Sequence, residues 1–262
     1  STEQIAGAGE AREHPAGNGV VVLLVVTALL VLTQLYAAIP LIAPIGAELG
    51  SDVTFALSTV FSVCYAVGFL IWGPLADQYG RKRIMLIGLV YLTVATIACG
   101  FASTVPMLAA LRGVQGVMAS SFAPVALAYL AEATPLKRRA TAIGAMSTAF
   151  LVAGIAGQVL ASALSLTLGW QWVFILSGIM LGLGMIGVAV LVTEPHSRRD
   201  DASLVRRFAV VGRVATRPSV LLLSVAHPTL LLSFVGMYTG LGPHLTDLCL
   251  DSSQVIWLRL VG

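Results

Sequence analysis

A run of 54 residues between Arg139 and Glu194 contains no Asp, Glu, Lys or Arg, and it limits the possible folds more than any other feature. As one helix this run would be about 80 Å long, because each helical residue adds about 1.5 Å. The hydrocarbon core of a bilayer is only about 30 Å thick. The run therefore predicts two membrane crossings joined by a turn near Gly169 and Trp170.

The composition of the whole chain also indicates a membrane protein. Of its 262 residues, 58% are hydrophobic and 10% are charged, whereas about 25% are charged in an average soluble domain. A spanning helix needs roughly 20 apolar residues. Seven such runs lie at about 20–46, 53–72, 84–102, 105–131, 140–168, 171–193 and 219–243. The sequence therefore predicts an all-α polytopic membrane protein.

The basic residues lie on one side of these predicted helices. Thirteen of the 15 Lys and Arg residues are in the N-terminal segment or follow helices two, four and six. The opposite connections, near residues 48–52, 102–105, 169–171 and 244–253, carry none. Because short cytoplasmic loops collect Lys and Arg, we predict a multi-pass protein of the plasma (inner) membrane with a cytoplasmic N-terminus. The net charge of +3 then marks topology, and a nucleic-acid partner is not expected.

The pattern gives no support to a metal site, a cofactor site or an enzyme. The three cysteines, Cys64, Cys99 and Cys249, lack metal-ligand spacing, and their odd number disfavours a disulfide framework. Residues 182–187 match the glycine fingerprint of dinucleotide sites, but they lie inside an apolar run with no strand before it. No nucleophile, base and orienting acid converge in a predicted loop. We expect no metal, no cofactor and no catalysis.

A short polar segment at residues 73–83 separates predicted helices two and three. It reads Gly-Pro-Leu-Ala-Asp-Gln-Tyr-Gly-Arg-Lys-Arg, which combines helix breakers, one acid and three adjacent cations. Irregular backbone does not face lipid, so the segment is predicted to be a turn at the membrane surface. The pattern Gly-x-Leu-Ala-Asp-x-x-Gly-Arg-Lys-x resembles the loop signature of the major facilitator superfamily, a large family of secondary transporters.

This resemblance implies a six-helix N-terminal bundle followed by the beginning of a second bundle. The chain then divides into a cytoplasmic tail (1–19), a six-helix transmembrane bundle (20–193), a basic cytoplasmic linker (194–218) and an incomplete C-terminal bundle (219–262). The last part holds helix seven and the start of helix eight. Because a full family member has twelve helices, the chain is expected to lack most of the second half.

The resemblance also implies a conformational latch in and near the polar segment. In family members the acid of this segment meets the positive N-terminal end of a helix from the other half, and Asp77 is the matching residue. Glu132, at the end of helix four, is expected to pair with Arg81, with a solvated carboxylate as the alternative. The residues assigned to the latch are Gly73, Asp77, Gly80, Arg81, Lys82 and Glu132.

Arg112 is the one basic residue inside the first six predicted helices. A guanidinium in a bilayer costs at least about 2.5–3.5 kcal/mol on insertion scales, so Arg112 is expected to face a polar cavity or a partner. Snorkelling to the membrane surface is the alternative. The string 112–116 resembles the family's Arg-x-x-Gln-Gly signature, which proton-coupled members link to substrate or proton movement. A substrate and proton pathway is therefore assigned to Arg112, Gln115, Gln34 and Tyr36.

Two of these assignments have a plainer alternative, and a third motif is incomplete. Gln34 and Tyr36, which resemble the polar lining of the family's proline-broken helix one, could instead make hydrogen bonds between helices. In helix five, residues 154–162 resemble the glycine-rich antiporter signature, and Gly154, Gly157 and Gln158 are assigned to helix packing. Gln158 stands where the signature has proline, which puts an antiporter in doubt.

Together these features predict a secondary active transporter of small molecules, most similar to proton-coupled efflux proteins, that works by alternating access. The expected partners are a small-molecule substrate, protons and the lipid bilayer. A complementary C-terminal half or another membrane subunit is a further expected partner. The alternative is a truncated, non-transporting membrane scaffold or accessory subunit built from half a transporter.

Overall fold

The computed structural model describes residues 17–194 and, beyond them, 212–214, 216–224, 226 and 229. The chain divides into two compact units, 1–201 and 202–262. In the second unit the helical positions include 212–214 and 218–224. The predicted tail up to residue 16, linker residues 195–211, most of predicted helix seven and the start of helix eight lie outside the described residues.

The described part of the first unit is helical, without β-strands, and six of its helical spans are long and apolar enough to cross a membrane, as predicted. A π-helical turn, Phe55–Thr59, opens the second span. The α-helices are α1 (Asn18–Tyr36), α2 (Ala38–Leu49), α3 (Val60–Tyr79), α4 (Arg81–Cys99), α5 (Val105–Ala119), α6 (Ala123–Ala133), α7 (Leu136–Leu168) and α8 (Trp170–Leu191).

The helix connections lie at two opposite ends of this unit. The Gly80 end holds the starts of α1, α4 and α7, and side chains join it, as where Arg138 donates to Asn18 at 3.0 Å. The Gly169 end holds the connections that follow α2, α4 and α7. Because consecutive spans run in opposite directions, residues far apart in sequence meet at each end.

Proline divides two of the spans. Predicted helix one is split into α1 and α2 at Ala37, because Pro40 has no N–H to donate to the carbonyl of Tyr36. Predicted helix four is split into α5 and α6 at residues 120–122, and Pro124 lies in the first turn of α6. Residue 124 likewise cannot donate to the carbonyl of Ser120. Both breaks expose backbone carbonyls inside the bundle.

The prediction for the end of helix two was wrong. α3 continues to Tyr79, so Gly73 and Pro74 lie within the helix and do not form a turn. A proline inside a helix removes one backbone hydrogen bond and can be accommodated where packing holds the helix together; Pro74 is buried. The turn is confined to Gly80, whose φ of 100° is a conformation that other residues rarely adopt.

Small residues bring α5 close to its neighbours α3 and α4. A side chain at Gly116 would meet the backbone oxygen of Phe61, and one at Gly88 would meet Ser121. Gly68 likewise faces Ser120, and Trp72 donates its indole N–H to the carbonyl of Val117 at 2.7 Å. Close backbone approach replaces the hydrophobic effect as the means of helix packing in lipid. It also carries α5, with Arg112, into the centre of the bundle.

Candidate functional site

Arg112 lies at the centre of the candidate site, and its side chain is completely buried. Its Nε donates to the carbonyl of Leu57 at 2.9 Å, and its Nη1 donates to the carbonyl of Gln34 at 3.1 Å and to Gln115 Oε1 at 2.8 Å. The guanidinium carbon of Arg112 lies 4.2 Å from the centroid of the Phe61 ring. The snorkelling interpretation was wrong, because these partners hold the cation inside the bundle.

The acceptors of Arg112 come from irregular backbone. The carbonyl of Gln34 lies at the end of α1, just before the break at Ala37. The carbonyl of Leu57 lies in the π-helical turn Phe55–Thr59, and such turns interrupt the regular ladder of helix hydrogen bonds. Two disturbed helices therefore present main-chain oxygens to one guanidinium.

Gln115 extends this polar site to α4. Its amide nitrogen donates to Thr96 Oγ1 at 2.7 Å, and Thr96 donates in turn to the carbonyl of Leu92 at 2.6 Å. The Cys99 thiol lies 3.6 Å from Gln115 Oε1. The side chains of Gln115, Thr96 and Cys99 are all buried. Neither Thr96 nor Cys99 belongs to a recognised motif, so no sequence pattern marks them as part of the site.

One donor of the site has no partner among the described residues. Nη2 of Arg112 is buried and makes no hydrogen bond. Leaving a charged donor unpaired away from water is costly. The site can therefore offer one further hydrogen bond to a group that enters the bundle.

Gln34 and Tyr36, the other residues assigned to the pathway, differ in their surroundings. The Gln34 side chain is buried and donates to the carbonyl of Leu30 at 3.2 Å, within its own helix. Only its backbone oxygen contacts Arg112. Tyr36 is half-buried and lies against Gly154 of α7. The structure thus brings Arg112, Gln115 and Gln34 together and leaves Tyr36 in a separate helix contact.

The glycines assigned to helix packing lie where α7 crosses α1. Gly157 faces the backbone of Thr33, whose oxygen would be 3.0 Å from an added side-chain carbon. Gln158 donates to the carbonyl of Gly154 at 3.0 Å and so returns to its own helix. Gly73, in contrast, has no neighbour within 4 Å of such a carbon among the described residues. Close packing at Gly73 inside this bundle is therefore not observed.

The predicted ion pair at the Gly80 end is present. Nη2 of Arg81 lies 2.6 Å from Glu132 Oε1, which excludes the solvated alternative for Glu132. Asp77 lies 3.7 Å from the same guanidinium nitrogen. This longer contact is the one interaction that Asp77 makes with the described residues, and 54% of its side chain is exposed.

Glu194, which belongs to no recognised sequence motif, holds the start of α4. Its two carboxylate oxygens accept the backbone N–H groups of Arg81 at 2.7 Å and Lys82 at 3.1 Å. Lys82 also binds the end of α8, because its Nζ donates to the carbonyl of Ala189 at 2.8 Å. The sequence marks Glu194 only as the first charge after the neutral run, which says nothing about its partner.

Within residues 17–194 and the described positions that follow them, no three His, Cys, Asp or Glu side chains are grouped so that they could hold a metal ion. The described residues provide one buried cation, Arg112, with its hydrogen-bonding partners, and a charged cluster at the Gly80 end.

Comparison with known proteins places these motifs in a family. The family model described as Major Facilitator Superfamily matches residues 24–252. An uncharacterized MFS-type transporter of Mycobacterium tuberculosis is 37% identical over 141 residues, covering 53% of this chain and 24% of that protein. Multidrug resistance protein 3 of Bacillus subtilis is 32% identical over 129 residues, covering 49% of this chain and 25% of that protein. These matches thus cover about a quarter of each relative.

A solved structure has a similar fold. It is the inward-facing, unoccupied conformation of a bacterial homolog of the human lysosomal transporter Spinster, with a TM-score of 0.62 and 22% identity. The similarity covers 70% of this chain and 44% of that one. It supports the helical architecture of the bundle.

Proposed function

Because the chain belongs to the major facilitator superfamily, we propose that it provides the first bundle of a secondary transporter that exports small molecules by alternating access, coupled to protons. Multidrug resistance protein 3, which is 32% identical over the matched segment, is named for resistance to several drugs, and a relative from Floropilus chiversii that is 28% identical over 190 residues is named as an efflux pump. In such transporters two bundles rock against each other around a site near the middle of the membrane.

The exposed carboxylate of Asp77 is the observation that carries this proposal. The two other acids at this end are engaged, since Glu132 pairs with Arg81 and Glu194 holds the start of α4. Asp77 makes only a 3.7 Å contact within the described residues. A carboxylate placed on a rigid support and left free can bind a helix N-terminus of a second bundle in one conformation and release it in the other.

The charges of the two ends support a cytoplasmic location for the Gly80 end. The turns there carry Arg81, Lys82, Arg83, Lys137, Arg138 and Arg139. At the Gly169 end, the connections 50–54, 100–104 and 169 contain no Lys or Arg. Under the positive-inside rule, we propose that the Gly80 end faces the cytoplasm of a plasma (inner) membrane protein.

The proposed pathway begins at Arg112. Its unpartnered Nη2 offers a hydrogen bond, and Gln115 and Thr96 provide a polar route toward α4. A fixed cation without a buried acid beside it favours anionic or strongly polar groups over cations. It also repels a proton, so coupling would work through changes in the partners of Arg112.

The test uses the intact native protein in liposomes with an imposed pH gradient. Efflux of the anionic dye 8-anilinonaphthalene-1-sulfonate and of the neutral dye Nile red is followed by fluorescence, and proton movement is followed with internal pyranine. We expect gradient-dependent movement of at least one dye, and a several-fold slower rate in Asp77→Asn with unchanged thermal stability. Asp52→Asn, an acid at the Gly169 end, is the matched control. Dye movement at the same rate with and without the pH gradient would contradict the proton coupling. An unchanged rate in Asp77→Asn would contradict the role of Asp77 in the latch.

A further inference from the structure

Arg112 binds the backbone at both ends of the segment that lies between Gln34 and Leu57. Its Nη1 binds the carbonyl of Gln34 and its Nε binds the carbonyl of Leu57. Between these two carbonyls the chain leaves α1, forms α2, turns at Gly50 and returns at the π-helical turn. We call residues 35–56 the strap; its base is fixed by a buried cation.

The far tip of the strap is held by a different residue. Glu48, near the end of α2, accepts the indole N–H of Trp170 at 2.5 Å and the side-chain amide of Gln171 at 3.2 Å. These two donors are the first two residues of α8. The strap is therefore attached to α8 at its tip and to α5 at its base.

The chemistry of the tip favours attachment. Trp170 is 96% shielded from solvent and packs edge-on against Phe174 at 6.2 Å, so its indole N–H loses its acceptor if Glu48 moves away. The positive end of α8 also favours a carboxylate at this place. Glu48 itself is exposed, so its carboxylate can be taken up by water.

The two faces of α2 show what moves with the tip. Leu41 and Ile45 are fully buried in a cluster that includes Ala161 of α7 and Trp170. Ile39 and Ala47 are exposed. This buried face keeps the base and middle of the strap on the bundle. Beyond Ile45, Leu49 packs against the same cluster and Val53 is buried in it, and Glu48 adds the polar attachment of the tip to α8.

We propose that Glu48 is a positioning residue that holds the tip of the strap against α8 at the Gly169 end. The tip moves away from α8 only when the Glu48–Trp170 hydrogen bond breaks, while Arg112 keeps the base in place. This inference rests on the proposed function, because an opening and closing end is what alternating access requires. The base and the tip are thus controlled by different residues.

Spin labels on the intact protein test this directly. With Cys64, Cys99 and Cys249 replaced by Ala, one label at Leu166→Cys is paired with a label at Ala47→Cys for the tip or at Ile39→Cys for the base. All three positions are exposed. We expect Glu48→Ala and Trp170→Phe to add a longer-distance component to the 47–166 pair and to leave the 39–166 pair unchanged. Asp52→Asn is the matched control and leaves both pairs unchanged.

A double-mutant cycle separates the contact from general loosening. Phe keeps one aromatic ring at position 170 but removes the N–H donor and part of the indole. Glu48→Ala and Trp170→Phe are therefore each expected to lower the midpoint of thermal unfolding, and the double variant is expected to lower it by clearly less than the sum of the two single effects. Additive effects would overturn the proposed role of the Glu48–Trp170 contact, as would a 39–166 distance distribution that broadens together with the 47–166 distribution. The spin-label distances and the unfolding midpoints do not depend on transport. If both give the expected results while the protein moves no dye, the proposed function is refuted and the proposal for the strap stands.

Discussion

The carboxylate of Glu194 caps the first turn of α4, with Oε1 2.7 Å from the backbone nitrogen of Arg81. Three cations, Arg81, Lys82 and Arg83, open this helix, where the macrodipole is positive and disfavours them. Glu194 supplies the negative charge that the first turn lacks. Lys82 in turn neutralises the carbonyl end of α8 through Ala189, so the two helices cap each other.

Removal of this cap is expected to cost more stability than removal of the neighbouring ion pair. Glu194→Ala leaves two backbone N–H groups without their acceptor, and loss of a helix cap costs about 0.5–2 kcal/mol. Glu132→Ala removes an ion pair in which 47% of the Glu132 side chain and 14% of the Arg81 side chain are exposed. Because Asp77 still lies 3.7 Å from Arg81 after this change, the expected loss is about 0.2–1 kcal/mol. Thermal unfolding in detergent measures both, and a larger loss in the Glu132 variant would contradict the cap.

Replacement of Arg112 by Lys is expected to destabilise the bundle although it keeps the charge. An ammonium cannot reach the carbonyls of Gln34 and Leu57 together with Gln115 in the geometry of a planar guanidinium. Unpaired buried acceptors and a misplaced charge cost about 3 kcal/mol or more. Gln158→Leu, which removes a bond within one helix, is the control and is expected to cost under about 1 kcal/mol. Equal unfolding midpoints for Arg112→Lys and the native protein would refute the argument.

The close approach of α3 and α5 predicts opposite outcomes for two glycines. Gly116→Ala places a carbon against the backbone oxygen of Phe61, which cannot rotate away, and overpacking of this kind costs about 1–3 kcal/mol. Gly144, in α7, has nothing within 4 Å of such a carbon. Gly144→Ala is expected to stabilise the helix by up to about 1 kcal/mol. Unfolding midpoints that shift in the same direction would show that α5 can move away from α3.

The Asp52 carboxylate is expected to stabilise the folded protein slightly, by an amount that depends on pH. Hydrogen bonds from Thr54, including its backbone N–H to Asp52 Oδ1 at 2.8 Å, lower the pKa of this carboxyl below its ordinary value. A lowered folded-state pKa contributes stability above the ordinary pKa, and this contribution is lost as pH falls through the folded value. Asp52→Ala is therefore expected to unfold at a slightly lower temperature at pH 7 and to match the native protein in strong acid. A difference that persists in acid would exclude the carboxylate as its cause.

Several elements could be predicted because their signals are local. The six spans and the Arg81–Glu132 pair followed from apolar runs and a recognisable motif, and the structure contains both. The end of helix two could not be predicted, because Gly73 and Pro74 have helix-breaking propensity that tertiary packing overrides. The break at residues 120–122 was missed for the converse reason, since an apolar run hides a change of helix within one span.

The sequence alone determined that the first unit has six apolar spans of membrane-crossing length and that the Lys and Arg residues of its connections lie at one end, because both depend on residue type along the chain. Tertiary structure decided the partners: Arg112 with two main-chain carbonyls, Glu194 with the start of α4, and Glu48 with Trp170. A helix in lipid is apolar on all sides, so periodicity does not reveal which face is buried. Only the packed bundle brings together residues more than a hundred positions apart.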